Sequence, residues 1–134
     1  SIGSSSGGFA AILYGHLLQF SKVLAFNPQT VISEEKETIV KDNFYTVDIS
    51  KNLRKLNPSD SFYQKCLNLR NLIPFKTKVE LHYSDFSEID RNHAKFIQHE
   101  NCQLIKYKSS SHLLSLQLKE SYDLEEIINK SLKV

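Results

Sequence analysis

Gly3-Ser4-Ser5-Ser6-Gly7-Gly8, followed at once by Phe9-Ala10-Ala11-Ile12-Leu13-Tyr14-Gly15-His16-Leu17-Leu18-Gln19-Phe20, is the stretch that decides the fold. The small residues at 3–8 allow a tight strand-to-helix turn, with Ser5 at the centre of a G-x-S-x-G pattern. Bulky side chains two positions from Ser5 would clash in such a turn. The helix that follows runs from Gly8 to about Phe20. Its apolar residues are nearly continuous, which predicts burial on most sides. Gly15 inside it costs stability relative to Ala, so a close approach to a neighbouring backbone is expected there. No Lys follows the glycines, which disfavours a phosphate-binding loop of the Walker type.

Outward from this unit, Lys22-Val23-Leu24-Ala25-Phe26 reads as a strand buried on both faces, closed by Asn27-Pro28. Turn, helix and buried strand make a right-handed crossover in a parallel sheet. Residues 30–75 are less regular and read as a helical excursion between core strands. Ser33-Glu34-Glu35-Lys36 can cap a short helix. Tyr45-Thr46-Val47-Asp48-Ile49 alternates weakly, Asn57-Pro58-Ser59-Asp60 marks a turn, and Phe62 to Ile73 has helical spacing with Ser59 or Asp60 as cap.

Thr77 to Tyr83 is a second buried strand, and Ser87-Glu88-Ile89-Asp90 opens a helix to about His99. Cys102 to Tyr107 is a third strand, and Ser109-Ser110-Ser111-His112 is a polar loop. Leu113 to Glu120 is a helix, and Asp123 caps a last one from Leu124 to about Leu132. Strands alternating with helices predict an α/β fold: a three-layer sandwich with a parallel sheet, one domain over 1–134.

Bulk properties narrow the function classes. The chain has 134 residues, 40% hydrophobic and 24% charged, with a net charge of +2 and no basic block, so nucleic acid is not an expected partner. No apolar run approaches the roughly 20 residues of a membrane span. Cys66 and Cys102 are isolated from each other and form no CxxC, so buried free thiols and a reducing, cytoplasmic location are expected. The sequence has no Met, and a fragment whose N-terminal half is absent is the expectation.

Chemistry-bearing residues fall at predicted strand ends, where ligands of open α/β sheets bind. Ser5 follows the opening turn. Asp85 and Asp90 follow the Val79–Tyr83 strand, and His112 follows the Leu104–Tyr107 strand. His16, His82, His93 and His99 fall within or beside predicted helices and a strand, which fits structural roles better. The helix N-terminus points backbone N–H groups at the turn, which suits a developing oxyanion.

GSSSGG, VLAFNPQT, VELHYSDFSEID and CQLIKYKSSSH together resemble the nucleophile, post-nucleophile, acid and histidine segments of the α/β-hydrolase family. The likeness spans the whole chain but corresponds to the C-terminal part of that family's domain. GSSSGGFAAILYG with VLAFNPQT is also similar to a bacterial subgroup found near surface-polysaccharide genes. The resemblance implies a serine hydrolase acting on an ester or other acyl substrate, with no metal or organic cofactor. Ser5 matches the nucleophile, His112 the general base and Asp90 the acid, with Asp85 as the alternative acid nearer the strand end. The backbone N–H of Ser6 matches one oxyanion-hole donor. Gln29, or Thr30 beside it, and His93, one helical turn after Asp90, are candidate substrate-binding residues. Asp90 alternatively serves as a helix cap, and Ser4 and Ser6 are competing hydroxyls.

Three readings stay open at this level. The first is hydrolysis through a Ser5 acyl-enzyme, inseparable here from acyl transfer to an alcohol such as a glycan in surface-polysaccharide modification. The second is a non-catalytic relative kept as an interaction module. The third is a piece of a larger protein that supplies part of a site. In the fragment reading, the isolated chain has an unpaired sheet edge and an uncovered apolar helix face, and is expected to be unstable and inactive.

Overall fold

The computed structural model describes residues 1–44 and 51–133. The weakly alternating stretch Tyr45–Ile49 lies outside the described residues. Four strands form one sheet in the order β1-β2-β3-β4: β1 (Ile2–Ser4), β2 (Lys22–Phe26), β3 (Lys78–Ser84) and β4 (Cys102–Tyr107). Every pairing is parallel, with Gly3 beside Ala25, Ala25 beside Leu81, and Leu81 beside Leu104. The molecule is α/β, as the alternation of strand and helix patterns predicts.

Successive residues of a strand face opposite ways, and each face gathers its own core. Val23, Ala25, Val79, Leu81 and Tyr83 pack with Phe9 and Ile12 of α1 (Ser6–Leu17) and with Ala94 of α5 (Glu88–Phe96). Leu24 and Phe26 pack on the other face with Leu114 and Leu118 of α6 (Leu114–Glu120) and Leu124 and Ile127 of α7 (Asp123–Leu132). Ile12, Val23, Ala25 and Leu81 are fully buried. Truncating Ile12 or Leu81 to Ala costs about 2–5 kcal/mol through lost burial and the cavity left behind. No helix among the described residues is long and apolar enough to cross a membrane.

Helix α1 differs from its expected form. It starts at Ser6 and ends at Leu17, and it buries one face only. Tyr14 is 55% and Leu18 64% exposed, so an unbroken apolar pattern here does not mean all-round burial. Gly15 meets side chains and not backbone: a Cβ there would lie 2.4 Å from Val23 Cγ2 and 3.4 Å from Thr77 Cγ2.

The excursion between β2 and β3 carries α2 (Lys36–Ile39), α3 (Lys51–Leu56), α4 (Ser61–Cys66) and a 3-10 turn over Leu69–Leu72. The 62–73 stretch is therefore two pieces and not one helix. Asp60 caps α4 by accepting from the Tyr63 N–H at 2.9 Å, as one of the two expected caps. Asn68 then breaks the helix by bridging to Val31 and accepting the Arg70 N–H. Glu35, not Ser33, occupies the N-cap position of α2 and makes no side-chain cap there. At α7 the cap position is Tyr122 in the left-handed region, and Asp123 is the first helical residue. Cys66 and Cys102 are buried free thiols.

Candidate active site

The turn between β1 and α1 holds Ser5 at φ 53° and ψ −121°, outside the regions a serine normally adopts. Backbone hydrogen bonds hold it there. The Ser5 N–H donates to Phe26 O at 3.1 Å, and Ser5 O accepts from Phe9 N at 3.1 Å and Gln29 N at 3.0 Å. The glycines show why the turn needs them. A Cβ on Gly3 would lie 2.1 Å from Gly7 O, and one on Gly8 would lie 2.7 Å from Pro28 Cβ. Gly7 departs from the expected steric requirement, since a Cβ there meets nothing within 4 Å.

The loop after β4 brings His112 onto this turn, although 107 positions separate it from Ser5. Ser5 Oγ–H donates to His112 Nε2 at 2.9 Å, and His112 Nδ1–H donates to Asp90 Oδ1 at 2.7 Å. Asp90 is reached through Ser87, which caps α5 by accepting the Asp90 N–H at 3.3 Å. Capping is thus the work of Ser87, and the Asp90 carboxylate is left for His112. The Asp90 side chain is 1% exposed against 47% for His112. Asp90 Oδ2 is buried with no hydrogen-bond partner among the described residues, so loss of His112 would strand the carboxylate. The Asp90 hydrogen bond holds the His112 imidazole above its ordinary range, against the opposing effect of burial and with help from the Asp90 and Asp42 charges.

Asp85 sits on the same strand edge with a different occupation. Its N–H donates to Tyr107 O, and its carbonyl accepts from Arg91 Nη1. Ser4 is turned toward α6, where its hydroxyl accepts from Ser115 Oγ at 3.2 Å. Ser6 is the first residue of α1, so its backbone N–H lies in the unpaired first turn directly after Ser5.

A cavity of about 530 Å³ opens beside Ser5 and His112, walled by Gln29, Phe44, Ile89, Asp90, His93 and Leu113 among others. Its size is within the ordinary range for small-molecule sites. Gln29 faces it, whereas Thr30 is fully buried behind it. His93 belongs to the cavity wall, but both of its ring nitrogens are already bonded within the protein.

Asn27 carries a role that sequence reasoning did not assign. It is fully buried at φ 41°, and its Nδ2 lies 3.0 Å from Ser84 Oγ, Ser111 O and His112 O. Its Oδ1 accepts from Ser84 N at 2.8 Å. One amide therefore pins the end of β3 to the loop that presents His112. The signal in the sequence was a lone polar residue ending an apolar strand, which reads equally well as an ordinary turn. Among the described residues, no three His, Cys, Asp or Glu side chains gather as a metal-ligand set. No protein-family model matches the chain, and no curated protein matches it.

Proposed function

We infer that this chain corresponds to the portion of an α/β-hydrolase domain from the nucleophile turn onward, and that it acts as a serine hydrolase on an ester or other acyl substrate. One observation supports this above the rest: an unbroken Ser5–His112–Asp90 hydrogen-bond chain at the carboxyl edge of a parallel sheet. In this reading Ser5 Oγ attacks the acyl carbonyl while His112 Nε2 takes its proton. Asp90 fixes the Nδ1–H tautomer and stabilises the imidazolium that forms. The Ser6 N–H, at the positive end of α1, donates to the developing oxyanion. Collapse of the tetrahedral intermediate expels the alcohol, protonated by His112, and leaves an acyl-Ser5 ester. Water activated by His112 then releases the acid and restores Ser5. An acceptor alcohol in place of water gives acyl transfer through the same residues.

The cavity walls favour an apolar acyl group, because Phe44, Ile89 and Leu113 offer apolar surface next to Ser5. A fluorophosphonate probe applied to the intact protein is expected to label Ser5, and Ser5→Ala is expected to abolish labelling. Persistent labelling of Ser5→Ala would refute the nucleophile assignment. Complete absence of labelling in folded, unsubstituted protein would favour an interaction module.

A further inference from the structure

A buried polar cluster that the proposed reaction does not use reaches the cavity wall through Asp42 and His93. Lys36, Asp42 and His93 have side chains 2%, 4% and 2% exposed, and each comes from a different segment: helix α2, the stretch after it, and helix α5. Buried charges of this kind are costly unless paired. Here the pairing is complete. Asp42 Oδ2 accepts from Lys36 Nζ at 3.3 Å and from His93 Nε2 at 3.1 Å, and its Oδ1 accepts from Phe44 N at 2.9 Å. Lys36 also donates to Phe44 O. Burial pushes the Asp42 carboxyl up, but the His93 hydrogen bond, the Phe44 N–H and the Lys36 charge together bring it below the usual carboxylate range.

The ring of His93 has one possible neutral arrangement. The Thr30 backbone N–H donates to Nδ1 at 3.0 Å, so Nδ1 is an acceptor and the ring proton sits on Nε2, facing Asp42. Thr30 Oγ1 lies 2.9 Å from the same nitrogen and also donates to His93 O at 3.2 Å. Thr30 follows Gln29, whose N–H holds the Ser5 carbonyl. His93 lies three residues after Asp90 on the same helical face. One imidazole therefore ties the helix bearing Asp90 to the loop that braces Ser5, with Asp42 and Lys36 holding its proton in place.

We propose that His93 is a positioning residue for the Ser5–His112–Asp90 chain, setting the distance between α5 and the Asn27–Thr30 loop through its bonds to Thr30 and Asp42. This rests on the hydrolase reading for its effect on turnover, but not for its effect on geometry. Activity at such sites is sensitive to small displacements, on the order of 100-fold for 1 Å. The amide O and N of glutamine span about the same distance as the two ring nitrogens, so Gln can accept from Thr30 and donate to Asp42. Leucine can do neither.

The test uses the intact protein with p-nitrophenyl acetate, together with the proton NMR signal of the His112 Nδ1–H shared with Asp90. His93→Leu is expected to lower kcat on the order of 10- to 100-fold with KM changed by less than about threefold. It is also expected to shift or broaden the low-field proton, and His93→Gln should recover most of both losses. A folded His93→Leu protein with unaltered kcat and an unaltered low-field proton overturns the proposal. If His93→Leu does not fold, Asp42→Asn combined with Lys36→Met keeps the charge balance and weakens the acceptor for Nε2–H. It is expected to move both readouts in the same direction by a smaller factor, and no movement overturns the proposal. If the unsubstituted protein shows no turnover, the hydrolase reading fails, and the proton signal alone still decides the positioning role.

Discussion

At the scale of single residues, the two carboxylates after β3 carry different burdens. Asp90 is buried against His112, whereas Asp85 engages its neighbours through its backbone. In the hydrolase reading Asp90→Asn should therefore lose turnover by several orders of magnitude, because the histidine would be held in the wrong tautomer, and Asp85→Asn should lose far less. The reverse ranking would move the acid role to Asp85. The pH dependence adds a second readout. In the hydrolase reading His112 acts only when neutral, and its pKa is raised above the ordinary value by the Asp90 hydrogen bond. The acid limb of kcat/KM is therefore expected above about 6.5 and should move down in Asp90→Asn. The meeting of Ser5, Asp90 and His112 could be anticipated from the G-x-S-x-G pattern and from an acid and a histidine placed beyond the second and third expected strands, whereas β1 before Ser5 was not expected. Asn27 was not, because its importance lies in carbonyls 84 and 85 positions away, which no local pattern reports.

Helices and turns tell a similar story at the next scale. β2 and β4 were readable to the residue, since each is a short segment rich in apolar residues that is closed by turn signals, Asn27-Pro28 after β2 and the serine run 109–111 after β4. The one-sided burial of α1 was not readable, because composition sets how apolar a helix is and not what packs on it. The break after α4 was missed for another reason: a tertiary bridge from Asn68 to Val31 overrides the local helical spacing. The glycine turn itself yields a sharp contrast. Gly8→Ala forces a Cβ against Pro28 and is expected to lower stability by about 1–3 kcal/mol. Gly7→Ala meets open space inside a helix and is expected to be neutral or to raise stability by up to about 1 kcal/mol. Urea midpoints of the two variants check this, and equal destabilisation would show that the turn is tighter at Gly7 than described.

For the whole molecule, the second core contains its own titrating group. His82 on β3 is stacked on Phe26 at 4.6 Å, hydrogen-bonded to Tyr107 at 2.8 Å, and buried. Burial pushes its pKa down to about 4, with smaller opposing and reinforcing effects from Glu80 and Lys22. The unfolded chain then binds a proton near pH 6.5 that the folded chain refuses until about pH 4. Stability from this residue is complete above about pH 6.5 and is lost as pH falls toward 4, by on the order of 3 kcal/mol. His112 acts in the opposite sense, adding stability below its unfolded value that fades as pH rises through its raised folded value. It is half exposed, so its share is smaller. Net acid destabilisation between pH 7 and 5 is expected, measured as a falling urea midpoint and flattened in His82→Leu. A midpoint that rises over that interval would mean that His112 outweighs His82.

The 107-residue separation of Ser5 and His112 has a consequence for the life of the protein before it works. Among the described strands Ser5 follows β1 at one end of the order and His112 follows β4 at the other, so β1 to β4 must all be in place before the hydroxyl and the imidazole meet. In a nascent, nicked or partly melted chain Ser5 therefore lacks its His112 partner. In the hydrolase reading reactivity is thereby withheld until these strands are assembled, which makes Ser5 a built-in inspector of the sheet.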